Sequence, residues 1–387
     1  MPTDASSRGN RSFGPSCFAL LAVFFVARIV FIFLPCDSWG PSAYLCAAPS
    51  LFLPNSEPLT WVAGAAYGEA ARLANRLDFV TFRPEKFTVD RNGYRNLPSA
   101  AGTPPKLLLA GDSFALGMSL NDEETLSAQL TRQLGPIIYN AATTLAASLS
   151  PKRILDVSGF LGMKSGWVLL ELVNRTAYTY EPPSSAHRFA FLGSYRDRFV
   201  RSTTPLRTLQ SRVDLSLPLM RVSSLVNMRL HNDILLPNPF KDLYTEEELI
   251  NGQHMLFYHE DRDFSRKSID SSVSAVAVGK FRDALSRAGF KLAVVLVPTG
   301  YSVYTPLMRQ PQGPDFGKQY MEDLAAQLAE NGVPTMNCLP LLRDAASREL
   351  TAGRLVYWPD DAHWNPVGCA TAARAVAPWL HSLTSGE

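Results

Sequence analysis

Two short blocks near opposite ends of the 387-residue chain carry the residue types of nucleophilic acyl chemistry. The first is Gly111-Asp112-Ser113-Phe114, directly after the apolar run 106–110 (KLLLA). A serine at the carboxyl end of a parallel strand sits where open α/β sheets build their sites. Gly111 permits a tight exit from the strand, so that Ser113 presents its hydroxyl to solvent beside backbone N–H groups able to hold an oxyanion. The second block is Asp361-Ala362-His363-Trp364-Asn365-Pro366-Val367-Gly368. Asn365 and Pro366 read as the N-cap and first residue of a helix, which pins the loop before them. Asp361, two residues ahead of His363, can accept the Nδ1–H, fix the tautomer and leave Nε2 to take the serine proton. Each block has an ordinary reading by itself: Gly-Asp-Ser as a turn, Asp-x-His as a helix cap. Together, in this order, they read as a Ser113/Asp361/His363 triad.

The elements that must position these residues follow from the apolar pattern. Short apolar strands are expected at 106–110, 137–141, 166–173, 291–297 and near 333–338. Helices are expected at 121–134 (capped by Asn121 or Asp122 and stopped by Gly135-Pro136), 151–165, 273–288, 317–330 (closed by Asn331-Gly332) and 366–382. Continuous apolar strands alternating with helices indicate a mostly parallel sheet covered on both faces. The alternation breaks over 181–272, a stretch rich in Arg, Ser, Pro and aromatics without a strong strand pattern, which reads as a long insertion. Upstream, 86–96 reads as a strand entering an Asn-Gly turn, and 66–82 begins as a short helix.

Composition excludes several function classes. Net charge is +2 with no Lys/Arg run, so nucleic acid is not an expected partner. No cysteine or histidine spacing fits a metal site, and no cofactor fingerprint is present; His259-Glu260-Asp261 reads as a solvated loop. Residues 17–34 (CFALLAVFFVARIVFIFL) are apolar apart from Arg28, and Arg8 and Arg11 precede them. That pattern predicts one transmembrane helix with its short tail in the cytoplasm and the rest of the chain outside. The expected organisation is a tail at 1–15, an anchor at 16–36, a linker or docking segment at 37–85, and a catalytic domain at 86–383 interrupted by the insertion. Cys36–Cys46 and Cys338–Cys369 either pair in an oxidising compartment or stay as free thiols, and the sequence leaves both open.

The two blocks resemble those of the SGNH (GDSL-like) hydrolase superfamily, and the continuation of the first to Leu134 (GDSFALGMSLNDEETLSAQL) is similar as well. The resemblance implies a flavodoxin-like three-layer α/β/α domain. It also implies an Asn after the third strand as an oxyanion donor; Asn174 stands there, with Arg175 as a rival. The superfamily has a glycine after the second strand, but this chain reads Asn140-Ala141-Ala142-Thr143-Thr144, so a backbone N–H of this loop, entered at Ala142, is the expected donor. The order anchor, GDSF, insertion, DAHWNPVG resembles the alginate O-acetyltransferase branch, with support from 297–304 (VPTGYSVY). That branch often has Lys where Gly300 stands. The branch implies transfer or removal of acetyl groups on an extracytoplasmic polysaccharide, at a bacterial inner membrane with the domain in the periplasm, and with a membrane protein as a possible acyl donor. Phe189, Phe191, Tyr195, Phe257 and Tyr258 are candidates for stacking on sugar rings, though packing in the core or a lid is the stronger reading for most of them. Two alternatives stay open: a membrane-tethered, non-catalytic polysaccharide-binding or scaffold protein on the same fold, and a periplasmic lipase-like or thioester hydrolase.

Overall fold

The structure is a computed structural model that describes residues 22, 23 and 26, most of 59–97, and 104–142, 150–174, 243–310 and 313–385. In chain order, two antiparallel strands come first, β1 (Leu59–Ala66) and β2 (Arg83–Val89), with Leu59 opposite Val89. Next are β3 (Leu107–Ala110), the short helix α1 (Ser113–Leu116), a 3-10 turn (Asp122–Glu124), α2 (Leu126–Leu134), β4 (Ile138–Asn140), α3 (Pro151–Phe160) and β5 (Gly166–Val173). A hairpin of β6 (Tyr244–Glu248) and β7 (His254–Tyr258) leads into α4 (His259–Arg266) and α5 (Ser272–Ser286). The chain ends with β8 (Phe290–Val297), α6 (Gly300–Tyr304), α7 (Phe316–Glu330), β9 (Thr335–Asn337), α8 (Leu339–Thr351) and α9 (Pro366–Thr384).

Five of these strands form one parallel sheet in the order β4-β3-β5-β8-β9. Counted along the chain, that is the flavodoxin-like order 2-1-3-4-5, whose switch point lies between its first and third strands. β3 and β5 flank that point, and both are apolar runs buried almost throughout. The connections through α3, α5 and α7 all advance in one direction along the sheet, whereas α2 connects in the other. Right-handed crossovers then place α2 on the opposite face from the other three. The packing agrees: α5 touches α3 and α7, while α9 packs on α2 and α8. Among the described residues a large apolar core runs through both layers, including Leu107–Leu109, Val168–Leu170, Val294–Val297, Phe281, Leu324, Leu342 and Val376, with a small second cluster at Ala70, Ala71, Ala74 and Leu256.

Several expectations change. The 121–134 helix is split, because Thr125 adopts an extended backbone and caps α2 through Ala128 N, while Asn121 and Glu124 form a capping box around the 3-10 turn. The stretch 243–272 is not featureless: Met255, Leu256 and Phe257 of β7 are 1–3% exposed, while its partner β6 is only half-buried and mostly acidic, which hides the strand signal. His259-Glu260-Asp261 is the first turn of α4 rather than a loop, with Asp261 buried. Part of the expected linker is the strand β1. Cys338 and Cys369 are free, buried thiols, and burial pushes Cys338 up to about 12. The expected transmembrane segment lies outside the described residues apart from Ala22, Val23 and Val26, which are helical. Among the described residues, no helix is long and apolar enough to cross a membrane. Residues 181–242, with Phe189, Phe191 and Tyr195, also lie outside them, as do Cys36 and Cys46.

The start of α9 fixes the loop that carries Asp361 and His363. Asn365 accepts from Val367 N and Gly368 N, and its Nδ2 donates to Leu355 O at 2.6 Å. Replacing Asn365 by Ala removes the cap and leaves a carbonyl unpaired, so stability falls by about 1–2 kcal/mol. Thermal unfolding of the full-length protein checks this; an unchanged melting temperature would mean that Pro366 alone sets the helix start.

Candidate active site

Ser113 opens α1 at the carboxyl end of β3, beside the switch point of the sheet. Asp112 is the N-cap and accepts from Phe114 N at 2.9 Å. Gly111 lies against β5: a Cβ there would come within 2.5 Å of Glu171 Oε2 and 2.8 Å of Glu171 Cβ. Only glycine lets the strand turn this close to its neighbour. Glu171 Oε2 accepts from Asp112 N at 3.0 Å, so β5 holds the turn from below. Burial, together with the Asp112 charge, raises the Glu171 carboxyl well above the usual range.

The second block closes over the first. His363 Nε2 lies 2.7 Å from Ser113 Oγ, and His363 Nδ1 lies 2.6 Å from Asp361 Oδ1, which also accepts from His363 N at 3.1 Å. The imidazole sits over Phe114 at 4.9 Å between centroids, and Phe114 meets Trp364 edge-on. Backbone bonds fold 356–365 into a tight loop: Trp358 N donates to His363 O, and Asn365 N to Val356 O. Ser113 is half-buried, whereas His363 is 4% and Asp361 3% exposed. Burial by itself raises the Asp361 carboxyl, but His363, Arg83 and Ser119 outweigh it and hold the group well below its ordinary value. Asp361 is therefore an ionised acceptor for His363.

The other expected site residues lie elsewhere. Asn174 directly follows β5, but its Oδ1 accepts from Thr299 N at 2.6 Å and its Nδ2 donates to Ser302 Oγ at 2.9 Å. These bonds tie β5 to the turn into α6 and, among the described residues, none joins Asn174 to Ser113 or His363. The Ala142 N–H is taken by Asn140 Oδ1 at 3.0 Å, which corrects the expectation that this amide faces an oxyanion. Residues 143–149 and Arg175 lie outside the described residues. Gly300, where the resembling branch often has Lys, faces Tyr357 Cδ1 at 3.2 Å from its ideal Cβ position, so this packing leaves little room for a side chain. Phe257 and Tyr301 pack edge-to-face in the core, which favours the packing role for Phe257.

Sequence reasoning missed a ring of buried polar groups around Asp361. Ser119 Oγ donates to Asp361 Oδ2 at 2.6 Å from a left-handed backbone, φ 63°, unusual for a residue other than glycine. Arg95 shapes that loop by donating to the carbonyls of Gly117 and Leu120, and to Asp122 Oδ1. Arg83 Nη1 donates to both carboxylate oxygens of Asp360 at 2.8 and 2.9 Å, and Nη2 lies 3.4 Å from Asp361 Oδ2. The acids Asp360-Asp361 stand together in the sequence, but no local pattern connects them to Arg83 or Ser119.

Comparison with known families places this geometry. Residues 252–386 match the model of the SGNH hydrolase-like domain of acetyltransferase AlgX. This is the branch that the two motifs resemble, and the match takes in Asp361 and His363 but ends short of Ser113. No curated protein matches the chain.

Glu85 gives the site a pH-dependent element. It is 3% exposed, 3.9 Å from Arg95, and burial pushes its carboxyl to about 7 against the pull of Arg95 and Arg83. Because the folded value lies above the unfolded one, the associated stability is complete at acid pH and is lost as pH rises through about 7. Glu85→Gln should therefore stabilise the protein at pH 8 by on the order of 2 kcal/mol and change little at pH 5. Denaturant titrations at the two pH values test it; an equal effect at both would mean that Glu85 is ionised throughout.

Proposed function

We propose that the chain is a serine-dependent acyl enzyme, an O-acetyltransferase or esterase acting on an extracytoplasmic polysaccharide. The relay from Ser113 through His363 to Asp361, with both links under 2.8 Å, carries this reading. The match to an SGNH hydrolase-like acetyltransferase domain supports acyl transfer in particular. The apolar stretch 17–34, preceded by Arg8 and Arg11, supports a single-pass anchor in a bacterial inner membrane with the domain in the periplasm. A membrane protein supplying acyl groups would then be a natural partner.

In this mechanism His363 Nε2 takes the proton of Ser113 as Oγ attacks the ester carbonyl. Asp361 holds the ring in the tautomer that leaves Nε2 unprotonated, and stabilises the imidazolium that forms. The first amide of α1, Ser113 N–H, has no acceptor within the helix and is the donor this mechanism assigns to the developing oxyanion. The tetrahedral intermediate collapses with loss of the alcohol, which takes the proton from His363, and an acyl-serine remains. Water or a sugar hydroxyl then attacks, giving its proton to His363, and Ser113 leaves and regains it.

A second reading, a polysaccharide-binding scaffold on the same fold, draws on one observation: the Ala142 N–H and the Asn174 amide are engaged elsewhere.

The deciding experiment follows acetate release from a chromogenic acetyl ester by the full-length protein and its Ser113→Ala variant. The acyl-enzyme reading expects a loss of at least roughly a thousandfold, with oligosaccharide acceptors then separating transfer from hydrolysis. Undiminished turnover in Ser113→Ala would sink it, and saturable oligosaccharide binding without turnover in either protein would favour the scaffold.

A further inference from the structure

The ion pair between Arg83 and Asp360 joins two parts of the chain 277 residues apart, and it does so against the triad. Arg83 is 7% exposed, its guanidinium lies 4.1 Å over the ring of Trp358, and Asp360 is fully buried. Asp360 also accepts from Gly68 N at 3.0 Å and Thr81 N at 3.1 Å, while its carbonyl accepts from Ala71 N. Gly68 is packed so tightly that a Cβ would meet Asp360 O at 1.8 Å. The segment 68–83 is thus latched onto the loop that carries Asp361 and His363. Gly68, Ala71, Thr81 and Arg83 all lie outside the matched 252–386.

We propose that Arg83 is a positioning residue of the triad: it grips the second oxygen of Asp361 together with Ser119 and sets how much negative charge His363 feels. The proposal rests on the acyl-enzyme reading for its consequence in catalysis, but its electrostatic content is independent of it. Asp361 Oδ1 faces His363, and Oδ2 faces Ser119 Oγ and Arg83 Nη2, so the carboxylate cannot rotate without breaking a bond on both sides. The charged and titratable groups around it are Arg83 and Glu85 of β2, Arg95 and Asp122 beyond them, Asp360 beside it, and Asp261 and Tyr357, which line the same small cleft. Glu85, also on β2, acts on Asp361 with a charge opposite to that of Arg83.

The two halves of the latch carry opposite charge, so neutralising them has opposite effects. Arg83→Gln leaves the negative charge beside His363 less compensated, favours the imidazolium, and moves the acid limb of Ser113 reactivity up by roughly one pH unit. Asp360→Asn keeps acceptors for Gly68 and Thr81 but removes a negative charge, and moves the limb down. Arg83→Lys keeps the charge and stays near wild type. General damage to the fold lowers activity at every pH without moving the limb, and never in two directions.

The test measures the pH dependence of Ser113 labelling by a fluorophosphonate on the full-length protein, and in parallel the NMR titration of His363 with histidine labelled at Cε1. Shifts of opposite sign in Arg83→Gln and Asp360→Asn support the proposal. An unmoved His363 titration in either folded variant overturns it, and if Arg83→Gln does not fold, Asp360→Asn decides alone. Absence of Ser113 labelling in the wild type would count against the acyl-enzyme reading only, since the His363 titration still decides the role of Arg83.

Discussion

The arrangement depends on one buried carboxylate. Asp361 is 3% exposed and ionised, which is costly unless every lone pair finds a donor. Its four donors come from three places in the chain: His363 through Nδ1 and its amide, Ser119 Oγ and Arg83. Each donor imposes a further condition. Ser119 reaches it only from a left-handed backbone, which Arg95 enforces by holding the carbonyls of Gly117 and Leu120. Arg83 reaches it only because β2 is pinned beside Asp360. Arg83, Arg95 and Ser119 thus serve to keep one charge in place.

The sheet makes this meeting possible. With β3 and β5 flanking the switch point, a loop leaving β3 opens into a crevice rather than onto a covered face. The packing of α9 on α2 brings a loop 250 residues later in sequence over that same crevice. The nucleophile follows the first strand of the sheet and the base precedes its last helix, so the site forms only once the whole sheet is assembled.

What could be read in the sequence was local. β5 and β8 stand out as apolar runs, broken only by Glu171 in the first and by Lys291 near the start of the second, because both faces of each are covered, and their observed limits fall within a residue of the expected ones. The triad was legible because a short loop fixes Asp361 against His363 and because Gly111 marks the strand exit. The β6–β7 hairpin was not, since Tyr244–Glu248 is acidic and buries little. Nor was α8, where Pro340 reads as a break and Ala345 and Ala346 thin the apolar stripe. Arg83, Arg95 and Ser119 were invisible for another reason: an arginine or serine is normally a surface residue, and nothing nearby in sequence announces a partner hundreds of positions away.

Exposure falls steadily along the relay: Ser113 is half-buried, His363 is 4%, Asp361 3% and Asp360 0% exposed. Charge is therefore stored where water does not reach, and only the serine end of the relay opens outward. In that low-dielectric setting, Asp361 acts on His363 far more strongly than it would at a surface. The same setting makes the site sensitive to any buried charge nearby, which is why an ion pair that never touches the serine can tune it.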